Sequence, residues 1–399
     1  MQIKNRSTVA GIFFGYFIMG LVDIVGISAN YVKADFSLSD SVSSFLPLIA
    51  FISFAFLAVP SGMLMNRIGR KNSVLASFII TLIALLIPIT GYTFPAMLTT
   101  FALVGIGNTV MQTSINPLLA DVVPENKLTS SLTLGQFFRS VSSAIGPILV
   151  TTIMLLTGNW KNTFPIYAVI TVIGILWLYK SPVTERNTDD TQKSSYLSIL
   201  QLLKDRHILI LFLALFAFVG IDVGLNVYVP DFLQTRCGLP LQQAGLGSSL
   251  YFTARIIGSL IGAVLLLRYR SENIYLYTMA TGVIIFIIMM LFPQLYIALT
   301  SIFIIGLVCA NVFSILLSLA LQYRPNKANE ISGLMIMAVS GGAIIPLIIG
   351  IINDLTGGST GMYVLLICLL SLLASAIYLC KSKSLSKKGH SVNNIKSAN

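Results

Sequence analysis

Gly62-Met63-Leu64-Met65-Asn66-Arg67-Ile68-Gly69-Arg70-Lys71 is a tight cationic turn between two long apolar segments. Its counterpart returns about 200 residues later, as Gly262 through Arg268, Arg270 and Asn273. A charged turn that recurs at half the chain length marks two copies of one unit. Working outward, the same offset reappears between Gly105 and Gly306 and between Pro124 and Pro325. Asp23…Asn30-Tyr31-Val32…Asp35-Phe36 is answered by Asp222…Asn226…Tyr228-Val229…Asp231-Phe232.

The repeated unit is built for lipid. Of 399 residues, 56% are hydrophobic and 10% charged, where a soluble domain carries roughly 25% charged residues. That balance argues against a soluble enzyme. About twelve apolar segments of roughly 18–28 residues follow one another, each long enough to span a bilayer. They lie near 8–32, 42–65, 72–91, 95–121, 128–157, 163–180, 206–230, 240–267, 273–292, 295–322, 329–353 and 360–380. The expected fold is an all-α membrane protein of twelve transmembrane helices in two six-helix halves. Residues 1–180 form the first half and 206–380 the second. The polar interval 181–205 is the linker, and the basic, Ser- and Asn-rich tail 381–399 is expected to be disordered. Parallel repeats of this kind are a transporter architecture, with the solute site between the halves.

The net charge of +11 reports topology rather than a nucleic-acid partner. With the N-terminus inside, most of the 25 Lys and Arg fall on the cytoplasmic side. Lys33, Lys161 and Arg236 fall outside, and Arg139 and Arg255 within segments. This positive-inside pattern puts both termini in the cytoplasm. The four cysteines, Cys237, Cys309, Cys368 and Cys380, are scattered, with no CxxC and no metal spacing. Neither a disulfide framework, a metal nor a cofactor is expected. The first apolar run is too long for a cleavable signal and no small-residue cleavage site follows it.

A charge at bilayer depth costs at least about 2.5–3.5 kcal/mol, so it is rare and faces a cavity or a partner. Asp23 in segment 1 and Asp222 in segment 7 lie at nearly the same depth, Arg139 is mid-segment 5 and Arg255 mid-segment 8. Burial raises a carboxyl pKa and a nearby Arg lowers it, so cavity hydration can move an aspartate across neutrality. Asp23 and Asp222 are therefore candidate proton carriers; the other reading is a fixed Asp–Arg pair that locks helices together. Arg139 and Arg255 have three readings: binding a substrate anion through the planar fork, bonding sugar hydroxyls, or neutralising a buried aspartate. Segment 4 carries Asn108, Gln112 and Asn116 four residues apart on one helical face. Each amide offers a donor and an acceptor, which suits hydroxylated ligands; the other reading is hydrogen bonding between helices. Gln136, Asn226 and Asn311 are further amides within segments. Gly62, Asn66, Arg67, Gly69, Arg70 and Lys71 form the candidate cytoplasmic gate, with Asp121 at the inner end of segment 4 as partner for Arg67 or Arg70.

The 62–71 turn resembles the signature loop of the major facilitator superfamily, Gly-x-x-x-Asp-Arg-x-Gly-Arg-Arg/Lys, with Asn66 at the acidic position. An ionic tie to the opposite half is replaced there by, at most, an amide hydrogen bond. Within that superfamily the chain is similar to the fucose–proton symporter branch, which includes bacterial glucose/galactose permeases. The resemblance rests on Gln112-Thr113-Ser114-Ile115-Asn116-Pro117, on Gln136, and on Ser340-Gly341-Gly342…Pro346…Gly350…Asp354…Gly357. The branch has an essential acid where this chain has Gln112, which carries no proton. Its segment 1 acid, counted back from Phe36, falls nearer Gly26 than Asp23.

The resemblance implies a monomeric secondary transporter of the bacterial inner membrane that moves a small polar solute, a sugar foremost, with a proton by alternating access. Asp23 is the first candidate for the proton carrier. A carboxylated sugar or organic anion held by Arg139 or Arg255 is the alternative. A drug exporter fits the amide stripe less well.

Overall fold

Backbone N–H and C=O groups find no water in a hydrocarbon slab, so an apolar segment satisfies them internally, as a helix. The computed structural model describes residues 6–21, 28, 31–32, 35–37, 40–183, 185, 196–239, 246–292, 294–356 and 359–396. In chain order the helices are α1 (Arg6–Leu21), α2 (Asp40–Ile68), α3 (Arg70–Thr90), α4 (Phe94–Val122), α5 (Leu128–Thr157), α6 (Thr163–Lys180) and the short α7 (Tyr196–Leu200). There follow α8 (Arg206–Thr235), α9 (Leu246–Arg268), α10 (Ser271–Leu291), α11 (Leu295–Cys309), α12 (Val312–Tyr323), α13 (Ala328–Met337), α14 (Gly341–Thr356) and α15 (Met362–Lys396).

Ten stretches of described helix are long and apolar enough to cross a membrane, α11–α12 and α13–α14 each contributing one. The 30-residue α5 and the shorter apolar stretch Ser7–Gly20 of α1 bring the count into line with twelve. Their outer faces carry exposed Phe56, Leu155, Leu176 and Ile367, as lipid-facing surfaces do.

Two expected single spans are interrupted. The tenth breaks at Ala310–Asn311, where the Asn311 amide donates to the carbonyl of Gly258 on the neighbouring α9 (3.1 Å). The eleventh passes through a 3-10 turn, Ala338–Ser340, before Gly341. Pro346, which lacks an N–H, sits within the helix that follows. The linker interval contains the short α7, which buries Ile199. α15 runs on to Lys396, through residues for which composition leads us to expect disorder; no proline after 380 stops it.

The repeat is visible in three dimensions. A Cβ on Gly105 would lie 2.3 Å from the Ala50 carbonyl, and one on Gly306 2.6 Å from that of Tyr251. Both pairs share the repeat offset, so the α2–α4 and α9–α11 crossings are the same contact made twice. The halves meet along α2 against α13 and α5 against α9, with α4 reaching α13 and α5 reaching α12.

Candidate functional site

The signature turn closes the basic end of the bundle. α2 ends at Ile68, and Gly69 takes φ 85 before α3 starts, a conformation that favours glycine. The Glu185 carboxylate accepts the backbone N–H groups of Arg70 and Lys71, each at 2.8 Å, at the positive end of the α3 dipole. Lys71 Nζ donates to the carbonyls of Tyr179 (3.0 Å) and Ser181 (2.8 Å), where α6 leaves unpaired acceptors. The linker is thereby stapled to the turn at two opposite helix ends.

Arg70 is buried and pairs through Nη1 with Asp121, both side chains almost wholly enclosed. Its Nε donates to Asn329 Oδ1 in the other half (2.7 Å). Asn66 Nδ2 donates to Glu330 Oε1 at 2.6 Å, and Asn329 Nδ2 donates back to Asn66 Oδ1 at 2.6 Å. The backbones come close enough for this because of paired glycines. A Cβ on Gly62 would sit 2.7 Å from the Asn329 carbonyl, and one on Gly333 2.7 Å from that of Ala58.

Of the two arginines available to Asp121, the structure gives it Arg70, while Arg67 is exposed. Asn329, Glu330 and Glu185 escape the sequence reading. Asn66 was the signal for Glu330, because an amide at a usually acidic position leaves a buried interface short of an acceptor.

Halfway along the C-terminal half, Arg255 Nη1 lies 2.5 Å from both carboxylate oxygens of Asp222. The Tyr251 hydroxyl donates to Oδ1 (2.7 Å). Tyr251 and Arg255 are four apart on α9 and share a face, which was the legible signal for the tyrosine. The Arg255 and Asp222 side chains are 17% and 21% exposed, so this pair keeps a limited opening. Arg255 Nε and Asn311 Oδ1 are buried without a hydrogen-bond partner. Asn311 packs against Gly258 and Gly262 on the α9 face that carries Arg255. Asn226 lies one turn beyond Asp222 in α8; its side chain is outside the description.

In the N-terminal half the amide stripe divides. Asn116 accepts from the Tyr16 hydroxyl of α1 (2.7 Å) and donates to the Gln112 carbonyl, so it ties helices together. Thr109 shares a hydrogen bond with Ser53 of α2 (2.7 Å). Asn108, Gln112 and Gln136 are buried, and Asn108 Oδ1 has no hydrogen-bond partner. Arg139 is half-buried on α5, and its carbonyl would lie 2.3 Å from a Cβ on Gly20, at the end of α1. Asp23 and Gly26 lie outside the described residues.

The arrangement is two bundles joined at one end by hydrogen bonds, with buried amides in both halves and an ion pair inside the second. A curated glucose/galactose transporter of Brucella abortus is 25% identical over 371 residues, covering 88% of this chain and 89% of that protein. FucP, an E. coli fucose:proton symporter, superposes in its outward conformation with a TM-score of 0.82 at 18% identity, covering 94% of this chain and 99% of that one. The proton:xylose symporter XylE gives a TM-score of 0.74 at 15% identity, over 94% and 95% of the two chains. At such identities the structures speak for the fold alone. The family model of the Major Facilitator Superfamily matches residues 12–347, and the chain belongs to that superfamily of membrane transporters.

Proposed function

We propose that the protein imports a neutral sugar together with a proton by alternating access across a bacterial inner membrane. The carrying observation is the Asp222–Arg255–Tyr251 constellation. A carboxylate bound this way releases its guanidinium when it takes a proton, and the freed N–H groups then serve sugar hydroxyls. Asn311 and Asn108, each with a buried unpartnered carbonyl oxygen, offer further contacts, as do the buried Gln112 and Gln136 of the first half. Asp23 is the first proton carrier in this reading, and Arg139 of the same half binds the solute or tunes the aspartate.

The positive-inside distribution supports a cytoplasmic location for the sealed basic end and for both termini. In this reading the conformation faces outward. A proton and a sugar enter, the outer end closes, and the Arg70–Asp121–Asn329 and Asn66–Glu330 contacts part to release both inward. The name of the Brucella relative supports a sugar. Occupation of the Arg255 fork by Asp222 supports a neutral solute over a sugar acid, because an anion would have to displace a carboxylate already in place.

The test is reconstitution with a pH-sensitive dye inside vesicles, with neutral hexoses, deoxyhexoses, hexuronates and sialic acid added in turn. Proton entry with a neutral sugar, lost in both Asp23→Asn and Asp222→Asn, is the expected result. Acidification with the carboxylated sugars alone would transfer the site to anions held by Arg139 or Arg255. No proton movement with any solute would remove the symport reading.

A further inference from the structure

We propose that Thr129, Ser271, Ser318 and Gln322 form a second latch at the sealed end, the counterpart of the Arg70 latch in the internal repeat. The proposal rests on the alternating-access reading above. In the first latch, Arg70 at the start of α3 reaches Asn329 at the start of α13 and Asp121 at the end of α4. The repeat offset carries Arg70 onto Ser271 at the start of α10 and Asp121 onto Gln322 at the end of α12; Thr129, at the start of α5, is the counterpart of Glu330, the neighbour of Asn329. The same three helix ends are again joined.

Ser271 Oγ donates to Thr129 Oγ1 (3.2 Å). Thr129 Oγ1 and Ser318 Oγ share a hydrogen bond (2.6 Å). Gln322 Nε2 donates to the same Ser318 hydroxyl (2.9 Å). Next to Thr129, Ser130 Oγ donates to the Ala263 carbonyl of α9. Thr129, Ser130 and Ser318 are buried, so their hydroxyls have no water to fall back on while this end is shut.

The two latches therefore occupy equivalent places about the pseudo-two-fold axis and cross the interface in opposite directions. One joins α3 of the first half to α13 of the second. The other joins α10 and α12 of the second half to α5 of the first. Their chemistry differs. The first is a guanidinium, a carboxylate and an amide, held in a fixed fork. The second is built from hydroxyls and one amide, which both donate and accept and can exchange partners as helices slide. Inward opening requires both to part, and the hydroxyl latch is the one that can yield gradually.

The test reads conformation and needs no substrate, so failure of the sugar assignment leaves it intact. In inside-out vesicles, a Ser332→Cys reporter at the α13–α4 interface is labelled with a membrane-impermeant maleimide. Thr129→Val and Ser318→Ala should each raise the labelling rate about three- to tenfold, the shift expected for a lost ordinary hydrogen bond. Thr129→Cys combined with Ser318→Cys gives a second measurement should either variant misfold. Oxidation of the pair should abolish reporter labelling and reductant should restore it, with neither single cysteine variant responding to the oxidant. Unchanged labelling in both hydroxyl variants, or a cross-linked pair that still opens to the cytoplasm, would overturn the proposal.

Discussion

Asp222 and Arg255 are where stability and the proposed coupling meet in one pair. Each charge is enclosed on most of its surface and satisfied by the other. Removing one partner strands the other in a poorly solvated place. For fully buried pairs that costs about 3–5 kcal/mol; with a fifth of each side chain exposed, about 2–3 kcal/mol is the expectation here. Asp222→Asn should therefore lower the thermal midpoint in detergent as well as remove proton uptake. The double variant Asp222→Asn with Arg255→Gln carries no stranded charge and should regain most of the lost midpoint while remaining uncoupled. A double variant as unstable as the single one would mean that the ion pair is not what holds α8 to α9 at this point. Tyr251 belongs to the same accounting, since its hydroxyl supplies the remaining hydrogen bond to the carboxylate.

Among the elements, helix ends carry much of the specific chemistry. Asp205 caps α8 by accepting the His207 backbone N–H (2.9 Å), and it also receives Arg324 Nη2 (2.7 Å). Burial alone would raise its carboxyl pKa. The backbone N–H groups of His207 and Ile208, the Tyr323 hydroxyl and the Arg324 charge outweigh that and hold it below the usual carboxylate value. A folded-state pKa below the unfolded one stabilises the fold at pH above the ordinary aspartate value of about 3.9, and that contribution is lost as pH falls through the depressed value. Between pH 5 and 8 the wild-type midpoint should not respond to this group. Asp205→Ala removes the cap and should cost about 0.5–2 kcal/mol at neutral pH, with the deficit shrinking under strong acid. A deficit that stays constant across acid titration would remove the carboxylate from the explanation. At this scale much was readable in the sequence: the apolar runs, the basic turns and the repeated Gly105 and Gly306 crossings. The break at Asn311 was not, because its amide bonds a carbonyl of α9 53 residues away in the chain. Nor was the double staple of the linker, since a glutamate in a polar stretch has no periodicity to announce that it caps α3.

At the scale of the molecule, a transporter must hold two end states within a few kcal/mol of each other, so its gates are balanced rather than strong. Here the acid of the signature turn has in effect crossed to the other half. Where the superfamily loop that this turn resembles carries an aspartate, Asn66 presents a donor, and Glu330 of the opposite half supplies the carboxylate (2.6 Å). The site was half legible for that reason: residue 66 showed what was missing, but only the docking of α2 on α13 shows where it went. The exchange has a sharp consequence. Asn66→Asp replaces the donor with a second carboxylate at hydrogen-bonding distance from Glu330, and two like charges about 4 Å apart repel by roughly 4 kcal/mol at an effective dielectric near 20. A bias of that size is about a thousandfold in the ratio of closed to open cytoplasmic ends. The single variant should therefore label readily from the cytoplasmic side and transport poorly, because it no longer returns to the outward state. Adding Glu330→Gln supplies an amide donor to the new aspartate and restores one acid and one amide across the same interface, with their sides reversed. That double variant should regain outward occupancy and much of its uptake. A double variant no more closed than Asn66→Asp alone would show that closure depends on the position of the acid as well as on there being one, with the Arg70–Asp121 pair beside it the first place to look for why.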